Sequence, residues 1–125
     1  MKRLICESYL HLLWIEFVLA FRDLHALHSL VRDRKVASPR RGLIVTTDVL
    51  CKAMELSCVF YPKRVLCLQR SSATVLMLRR YGIHAHLVIG AQILPFRSHA
   101  WVEVNEMVVN DKPHMQEIYS ILERC

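Results

Sequence analysis

Three segments of the chain carry side chains that could act on an amide bond. Cys67 opens an apolar run with helical spacing, "CLQRSSATVLMLRR", and His99 heads an alternating segment. The next alternating segment closes on Asn110 and Asp111. A helix N-terminus lowers the pKa of a thiol, because its unpaired N–H groups and partial positive charge favour the thiolate. A histidine oriented by a third polar group can act as the base. These residue types predict a cysteine nucleophile with an assisting histidine.

The other four cysteines lack this placement. Cys51 and Cys58 fall inside a predicted helix, where a small buried side chain is the expected role. The cysteines number five in all, with no Cys-x-x-Cys pair and no signal peptide before them. An odd number of thiols in this pattern predicts reduced cysteines in the cytoplasm, rather than a disulfide framework or a structural zinc site.

The partner of the histidine depends on a predicted hairpin at residues 98–111, "SHAWVEVNEMVVND". Alternation puts His99, Trp101 and Glu103 on one face and aliphatic residues on the other, so the Trp101 ring could shield the histidine from water. If residues 105–106 form a two-residue turn, Trp101 pairs with Asn110, which then shares the face of His99. A three-residue loop or a bulge would bring Asp111 there instead. The pattern alone leaves both registers open.

Three helices and three strands are predicted to position these side chains. Apolar spacing predicts helices over residues 3–32, with a break near residues 21–23, and over residues 48–60 behind a capping segment at residues 46–48. A third helix runs from Cys67 to a left-handed cap at Gly82. The period then changes to two at "HAHLVIGA", "HAWVEV" and "MVVND", with turns at residues 90–97 and 105–106 and a short helix or fraying tail after them. Helices followed by an antiparallel meander predict an α+β fold with the cysteine helix packed on the sheet.

The composition limits the size and class of the protein. The chain has 125 residues, is 54% hydrophobic and contains three glycines and four prolines, which is enough for one compact domain. The predicted division is an N-terminal helical segment over residues 1–35, a basic linker over residues 36–47 and a core over residues 48–125. The net charge of +6 is interpreted as a solvated basic surface, since no nucleic-acid motif accompanies it. Charged residues interrupt the apolar run over residues 4–21, which favours a helix buried against the domain, with contact to a membrane surface as the alternative.

Two of these segments together resemble a known family. The segments "CLQRSSATVLMLRRYGIHAHLVIG" and "PFRSHAWVEVNEMVVND" resemble the lasso-peptide leader peptidases, which belong to the transglutaminase-like cysteine peptidase superfamily. The resemblance spans residues 49–111 and implies a papain-like core with Cys67 as nucleophile, His99 as general base and Asp111 as orienting acid, without a metal or cofactor. The chain departs from the family at residues 105–106, where many relatives carry Asp-Gly. Because a tight type I′ turn without glycine is strained, this departure favours a longer or bulged loop.

The resemblance implies hydrolysis of one amide bond in a ribosomally made precursor peptide through a thioester. The Cys67 backbone N–H would bind the oxyanion, and the sequence does not identify the second donor. The implied partners are the lasso precursor, a leader-binding protein and an asparagine-synthetase-like, ATP-dependent cyclase. The leader-binding protein is expected as a separate chain, since a fused domain would need roughly 80 further residues.

Other interpretations remain open at this stage. The superfamily shares the acyl-enzyme step, so an amidase, a deamidase or an acyltransferase acting on another peptide could use the same residues. A non-catalytic module of the same fold is another possibility. His84 and His86 share a strand face and could contribute to a metal site with Cys67 or His99. The arginine-rich linker could bind nucleic acid through charge alone.

Overall fold

The computed structural model describes residues 2–37, 46–93, 96–111, 113 and 115–125. Within these residues it contains five helices and four strands in the following order: α1 (Lys2–Phe21), α2 (Leu24–Asp33), α3 (Thr47–Phe60), α4 (Cys67–Arg80), β1 (Ala85–Ile93), β2 (Phe96–Val104), β3 (Met107–Val108), α5 (Met115–Ile118) and β4 (Ser120–Arg124). The predicted α+β class is confirmed. The central part of the predicted basic linker, residues 38–45, lies outside the described residues.

Local capping explains where the helices begin and end. The Asp23 carboxylate accepts a hydrogen bond from the Ala26 N–H (2.8 Å), which starts α2 and confirms the predicted break after α1. The Thr46 hydroxyl caps α3 in the same way. At the other end of α4, Gly82 adopts a positive φ of 84°, and the Ile83 N–H donates to the Leu78 carbonyl (3.0 Å). The predicted left-handed cap is therefore confirmed.

The strands form one antiparallel sheet in the order β3-β2-β1-β4. Strands β1 and β2 pair over their full lengths, with Gly90 opposite His99 and Ile93 opposite Phe96. The turn predicted over residues 90–97 is therefore too long, because most of these residues belong to the ladder. The C-terminal segment is expected to form a short helix or a tail; the short helix is present as α5, and a fourth strand that was not predicted follows it. Strand β4 pairs with β1 through an irregularity at Ile89–Gly90, a long-range contact that has no local sequence signal.

The predicted longer or bulged hairpin loop is wrong. Val104 pairs with Met107 and Glu103 with Val108, so residues 105–106 form a two-residue turn. Asn105 and Glu106 adopt positive φ values of 52° and 66°, as a type I′ turn requires. The turn is tight even though it lacks glycine, and the ladder ends two residues later.

Helix α4 occupies the centre of the fold, between the sheet and helices α1 and α3. Its middle is buried on all sides, and the small residues Ser71, Ser72 and Ala73 allow the neighbouring elements to approach closely. The main core joins one face of the sheet to all four long helices. A smaller cluster of Val88, Trp101 and Met115 covers the other face beneath the C-terminal segment.

Helix α1 contributes to this main core with only one side. Leu12 and Ile15 are fully buried, while a second apolar row on the outer surface is exposed, formed by Leu10, Leu13, Trp14, Phe17 and Phe21. Among the described residues α1 alone is long and apolar enough to cross a membrane by length and composition, a criterion that core helices and signal sequences also meet. Since α1 and α4 share one core, the division into residues 1–35 and 48–125 follows chain order, and as a domain boundary it stays a prediction.

Candidate active site

Cys67 is the first residue of α4, and this helix start differs from those of α2 and α3. The preceding residue, Leu66, has an extended backbone and makes no side-chain capping bond, whereas Asp23 and Thr46 cap the other two helices. The N–H groups of the first turn are thus not occupied by a capping side chain. Such a helix start is a favourable position for a bound anionic group.

Three of the other cysteines are held in the thiol form. Burial, with the nearby carboxylates of Glu55 and Asp48, raises the pKa of Cys51 to about 11. Burial also raises the pKa values of Cys58 and Cys125. Cys6 is exposed on α1, beyond the first turn of that helix. Cys67 is therefore the cysteine whose placement best suits a nucleophile.

His99 and Asp111 form a direct pair. The His99 Nε2 and Asp111 Oδ2 atoms are 2.5 Å apart, and both side chains are largely shielded from solvent. An ionised carboxylate accepts hydrogen bonds and does not donate them, so this contact favours the tautomer with its proton on Nε2, in which Nδ1 can take up a proton. Arg70 Nη2 lies 3.8 Å from the same carboxylate oxygen and places a positive charge beside it.

Asn110 holds Asp111 in place through bonds to the sheet and to α4. The Asn110 Oδ1 atom accepts from the Val102 N–H (2.8 Å), and its Nδ2 donates to the Ser71 hydroxyl (3.0 Å). Ser71 in turn donates to the Ala100 carbonyl (3.1 Å). These bonds let the chain leave the ladder after β3, so that Asp111 rather than Asn110 reaches His99. The two-residue turn is consequently compatible with Asp111, a combination that the sequence analysis did not consider.

Two aromatic rings flank His99. Trp101 lies two residues along the same strand, with ring centroids 6.1 Å apart, and Tyr119 follows α5 at 5.5 Å. Gly90 makes this arrangement possible, because a Cβ there would lie 2.6 Å from Trp101 Cη2 and 2.8 Å from Tyr119 Cβ. Tyr119 adds to the predicted shielding of His99 by Trp101. No pattern in the sequence indicated that Tyr119 would lie there.

A buried carboxylate ties the C-terminal segment to this arrangement. Glu103 is 2% exposed and accepts from Trp101 Nε1 (2.9 Å), from Gln116 Nε2 (2.8 Å) and from the Arg124 guanidinium (3.1 Å to Nη2). Burial alone would raise the pKa of Glu103, but these hydrogen bonds outweigh it and hold the pKa below its usual range. Sequence reasoning placed Glu103 on the face of His99 but did not identify these partners.

Cys67 and His99 line the same cleft, which has a volume of about 390 Å³. Leu68, Ile89 and Leu122 form its apolar wall, and His28 and Glu123 also line it. Residues from α2 and β4 could not be assigned to the site from sequence, because they reach it only through long-range packing. With an activatable thiol, a carboxylate-oriented imidazole and free helix N–H groups, the cleft has the groups needed for acyl transfer from an amide.

The described residues do not form the metal site that the sequence left open. His84 and His86 are both exposed, and His86 Nδ1 lies 3.3 Å from the Cys125 carbonyl oxygen. Within the part of the chain that the structure describes, no group of three or more histidine, cysteine or acidic side chains is arranged to hold a metal ion.

The sequence of the chain is similar to those of known proteins. The profile of the Transglutaminase-like superfamily matches residues 11–124. The chain is also 46% identical over 56 residues to the Microcin J25-processing protein McjB of Escherichia coli, a match covering 45% of this chain. The match spans only 27% of the length of that relative. No solved structure matches the chain significantly.

Proposed function

The chain belongs to the transglutaminase-like superfamily, and we propose that it is a cysteine peptidase that removes the leader segment from a ribosomally made lasso-peptide precursor. The observation that carries the proposal is the His99–Asp111 pair, whose histidine lines the same cleft as Cys67. The similarity to a protein named for the processing of a microcin supports the class of substrate. Cys67, His99 and Asp111 are the proposed catalytic residues.

The proposed reaction proceeds through a thioester. The Cys67 thiol gives its proton to His99 Nδ1, and the thiolate attacks the scissile carbonyl carbon. The resulting oxyanion accepts a hydrogen bond from the Cys67 backbone N–H. The protonated His99 ring gives its Nδ1 proton to the leaving amine as the C–N bond breaks. A water molecule then gives a proton to His99 and attacks the thioester carbonyl, and the C–S bond breaks, which releases the carboxylate of the leader and the Cys67 sulfur. Asp111 keeps the imidazole in the required orientation and stabilises its charged form.

The proposed partners follow from this chemistry. The released core peptide gains a free N-terminus, which an asparagine-synthetase-like, ATP-dependent cyclase would join to an acidic side chain. A leader-binding protein would present the precursor to the cleft. We place the reaction in the bacterial cytoplasm, where the precursor is synthesised and where thiols such as the five free cysteines stay reduced. Affinity purification of the tagged chain tests these partners. Recovery of neither the cyclase nor the leader-binding protein would contradict the assignment.

Substitution of the nucleophile tests the reaction itself. Cys67→Ala should abolish cleavage of a lasso-peptide precursor that carries its leader, while Cys6→Ala, at an exposed cysteine on α1, should retain it. Mass spectrometry of the products distinguishes hydrolysis, which adds one water across the bond, from amide exchange, in which an added amine is incorporated. Cleavage by the Cys67→Ala protein would refute the mechanism, and incorporation of the amine would favour an acyltransferase.

A further inference from the structure

The apolar wall of the cleft has no role in the proposed bond cleavage. Leu68 follows the nucleophile on α4, Ile89 lies on β1 and Leu122 on β4, so three separate elements bring aliphatic side chains to one place beside Cys67. Leu122 is 66% exposed and lines the cleft, so most of its apolar surface is accessible to a ligand. An aliphatic surface of this kind next to a nucleophile is suited to bind an apolar group of a ligand.

We propose that this wall is a specificity subsite for an uncharged, branched aliphatic side chain of the substrate next to the scissile bond, with Leu122 as a determinant of selectivity. The inference rests on the proposed function, since it concerns the cleft that Cys67 and His99 share. It adds a substrate class to that function: peptides with an aliphatic residue close to the cleaved bond.

The size and charge of the cleft support this class. A volume of about 390 Å³ exceeds that of one leucine-sized side chain, so the cleft also has room for the adjoining peptide backbone. The Glu123 carboxylate near the wall faces the His28 ring, with His28 Nδ1 at 3.4 Å from Glu123 Oε2. An acidic substrate side chain would lose its hydration against Leu68 and Ile89 and would be repelled by Glu123. An aliphatic side chain has neither penalty and gains from the removal of apolar surface from water.

The peptide backbone of such a ligand also has a polar group to meet. The His28 Nε2 atom is buried and makes no hydrogen bond within the described residues, although the same side chain lines the cleft. A buried ring nitrogen without a partner is unfavourable, and a peptide carbonyl or N–H bound in the cleft would satisfy it. The aliphatic wall and the unpaired nitrogen thus describe a site for a peptide segment with an apolar side chain.

Alkylation with two matched probes tests the subsite without requiring peptide cleavage. N-(3-methylbutyl)-2-chloroacetamide carries a branched aliphatic group, and 3-(2-chloroacetamido)propanoate carries a carboxylate. Each reacts when a thiolate displaces chloride and forms a C–S bond. Peptide mapping gives the alkylation rate of Cys67 relative to exposed Cys6 in the same molecule, which corrects for the intrinsic reactivity of each probe. The relative rate at Cys67 should be higher for the aliphatic probe by about tenfold or more, the usual discrimination of a hydrophobic pocket.

Two exposed aliphatic residues provide a matched pair of variants. Leu122→Asp should remove most of the preference, while Val59→Asp should retain it, since Val59 is 75% exposed on α3, outside the cleft and on a different helix from the reference thiol Cys6. Equal relative rates for the two probes in the wild-type chain, or an unchanged preference in Leu122→Asp, would overturn the proposal. A chain that shows the preference but hydrolyses no peptide would refute the peptidase assignment and leave the subsite standing, so the two failures are distinguishable.

Discussion

Asp111 and Asn110 are sequence neighbours with separate partners. Asp111 contacts the imidazole of His99, and Asn110 bonds to the main chain of Val102 and to the hydroxyl of Ser71. An aspartate stabilises the imidazolium by charge, whereas an asparagine at the same place could only orient the ring. Among the described residues Asn110 makes no hydrogen bond to His99, and it acts by fixing the path of the chain.

This difference predicts a ranking of two variants. Asp111→Asn should leave the fold intact and reduce turnover about tenfold to a thousandfold, less than in serine triads because a thiolate needs less help from its base. Asn110→Ala should cost much less turnover and instead lower the free energy of unfolding by about 1 kcal/mol, since it leaves the Val102 N–H without its partner. Steady-state kinetics and urea unfolding of both variants check the ranking. An active Asp111→Ala protein beside an inactive Asn110→Ala protein would show that the acid is wrongly assigned.

The turn between β2 and β3 carries strain that a single substitution can remove. Glu106 adopts a φ of 66°, a conformation in which side chains other than glycine and asparagine are disfavoured by about 1–2 kcal/mol. Its own side chain is exposed, and the contact from Gln116 goes to its main-chain carbonyl (3.1 Å), which any residue would keep.

Glu106→Gly should therefore stabilise the protein by about 0.5–1 kcal/mol, because the relief of strain exceeds the greater freedom of glycine in the unfolded chain. Urea unfolding measures this as a higher midpoint with an unchanged slope. Asn105→Gly is the matched control: the neighbouring residue also has a positive φ of 52°, which asparagine tolerates, so its gain should be smaller. A lower midpoint for Glu106→Gly would contradict a strained turn.

The same hairpin shows how far the sequence could predict the structure. Helix α4 has a helical spacing of apolar residues and a glycine at its end, and its predicted start at Cys67 and cap at Gly82 agree with the structure. The loop was predicted to be longer than two residues because a tight turn with positive φ values usually contains glycine. The pairing of β2 with β3 nevertheless holds Asn105 and Glu106 in a two-residue turn. Whether Asp111 reaches His99 depends on where the chain leaves the ladder, and this is decided by tertiary bonds of Asn110 that no local pattern reveals.

The site residues that were not predicted are those that long-range contacts bring to the site. Strand β4 has no clean alternation, and its pairing with β1 joins segments about thirty residues apart in the chain. The cleft wall residue Leu122 and the ring of Tyr119 beside His99 both belong to this C-terminal segment. The sequence thus indicated which side chains could do chemistry, but not the surface that would hold a substrate against them.

The C-terminal segment is joined to the rest of the molecule by Glu103. The carboxylate receives hydrogen bonds from Trp101 on its own strand, from Gln116 on α5 and from Arg124 on β4. Breaking these bonds would loosen α5 and β4 together, and with them the placement of Tyr119 against His99 and of Leu122 at the cleft. Glu103 therefore connects the stability of the whole domain to the shape of the proposed active site.

This connection predicts a pH dependence that one substitution should remove. Because the pKa of Glu103 is held below its usual value of 4.5, the charged form stabilises the fold fully above that pH, and the contribution is lost as the pH falls through the lower folded pKa. Glu103→Gln should destabilise the protein at pH 7 by about 2–4 kcal/mol, because the amide nitrogen opposes the donors around it. The gap in unfolding free energy between wild type and variant should narrow as the pH drops from 5 towards 3. Glu117→Gln, an exposed substitution on α5, should match wild type at every pH. Urea unfolding across this pH series measures the effect, and a gap between Glu103→Gln and wild type that stays constant down to pH 3 would show that the buried carboxylate is not the group on which the C-terminal segment depends.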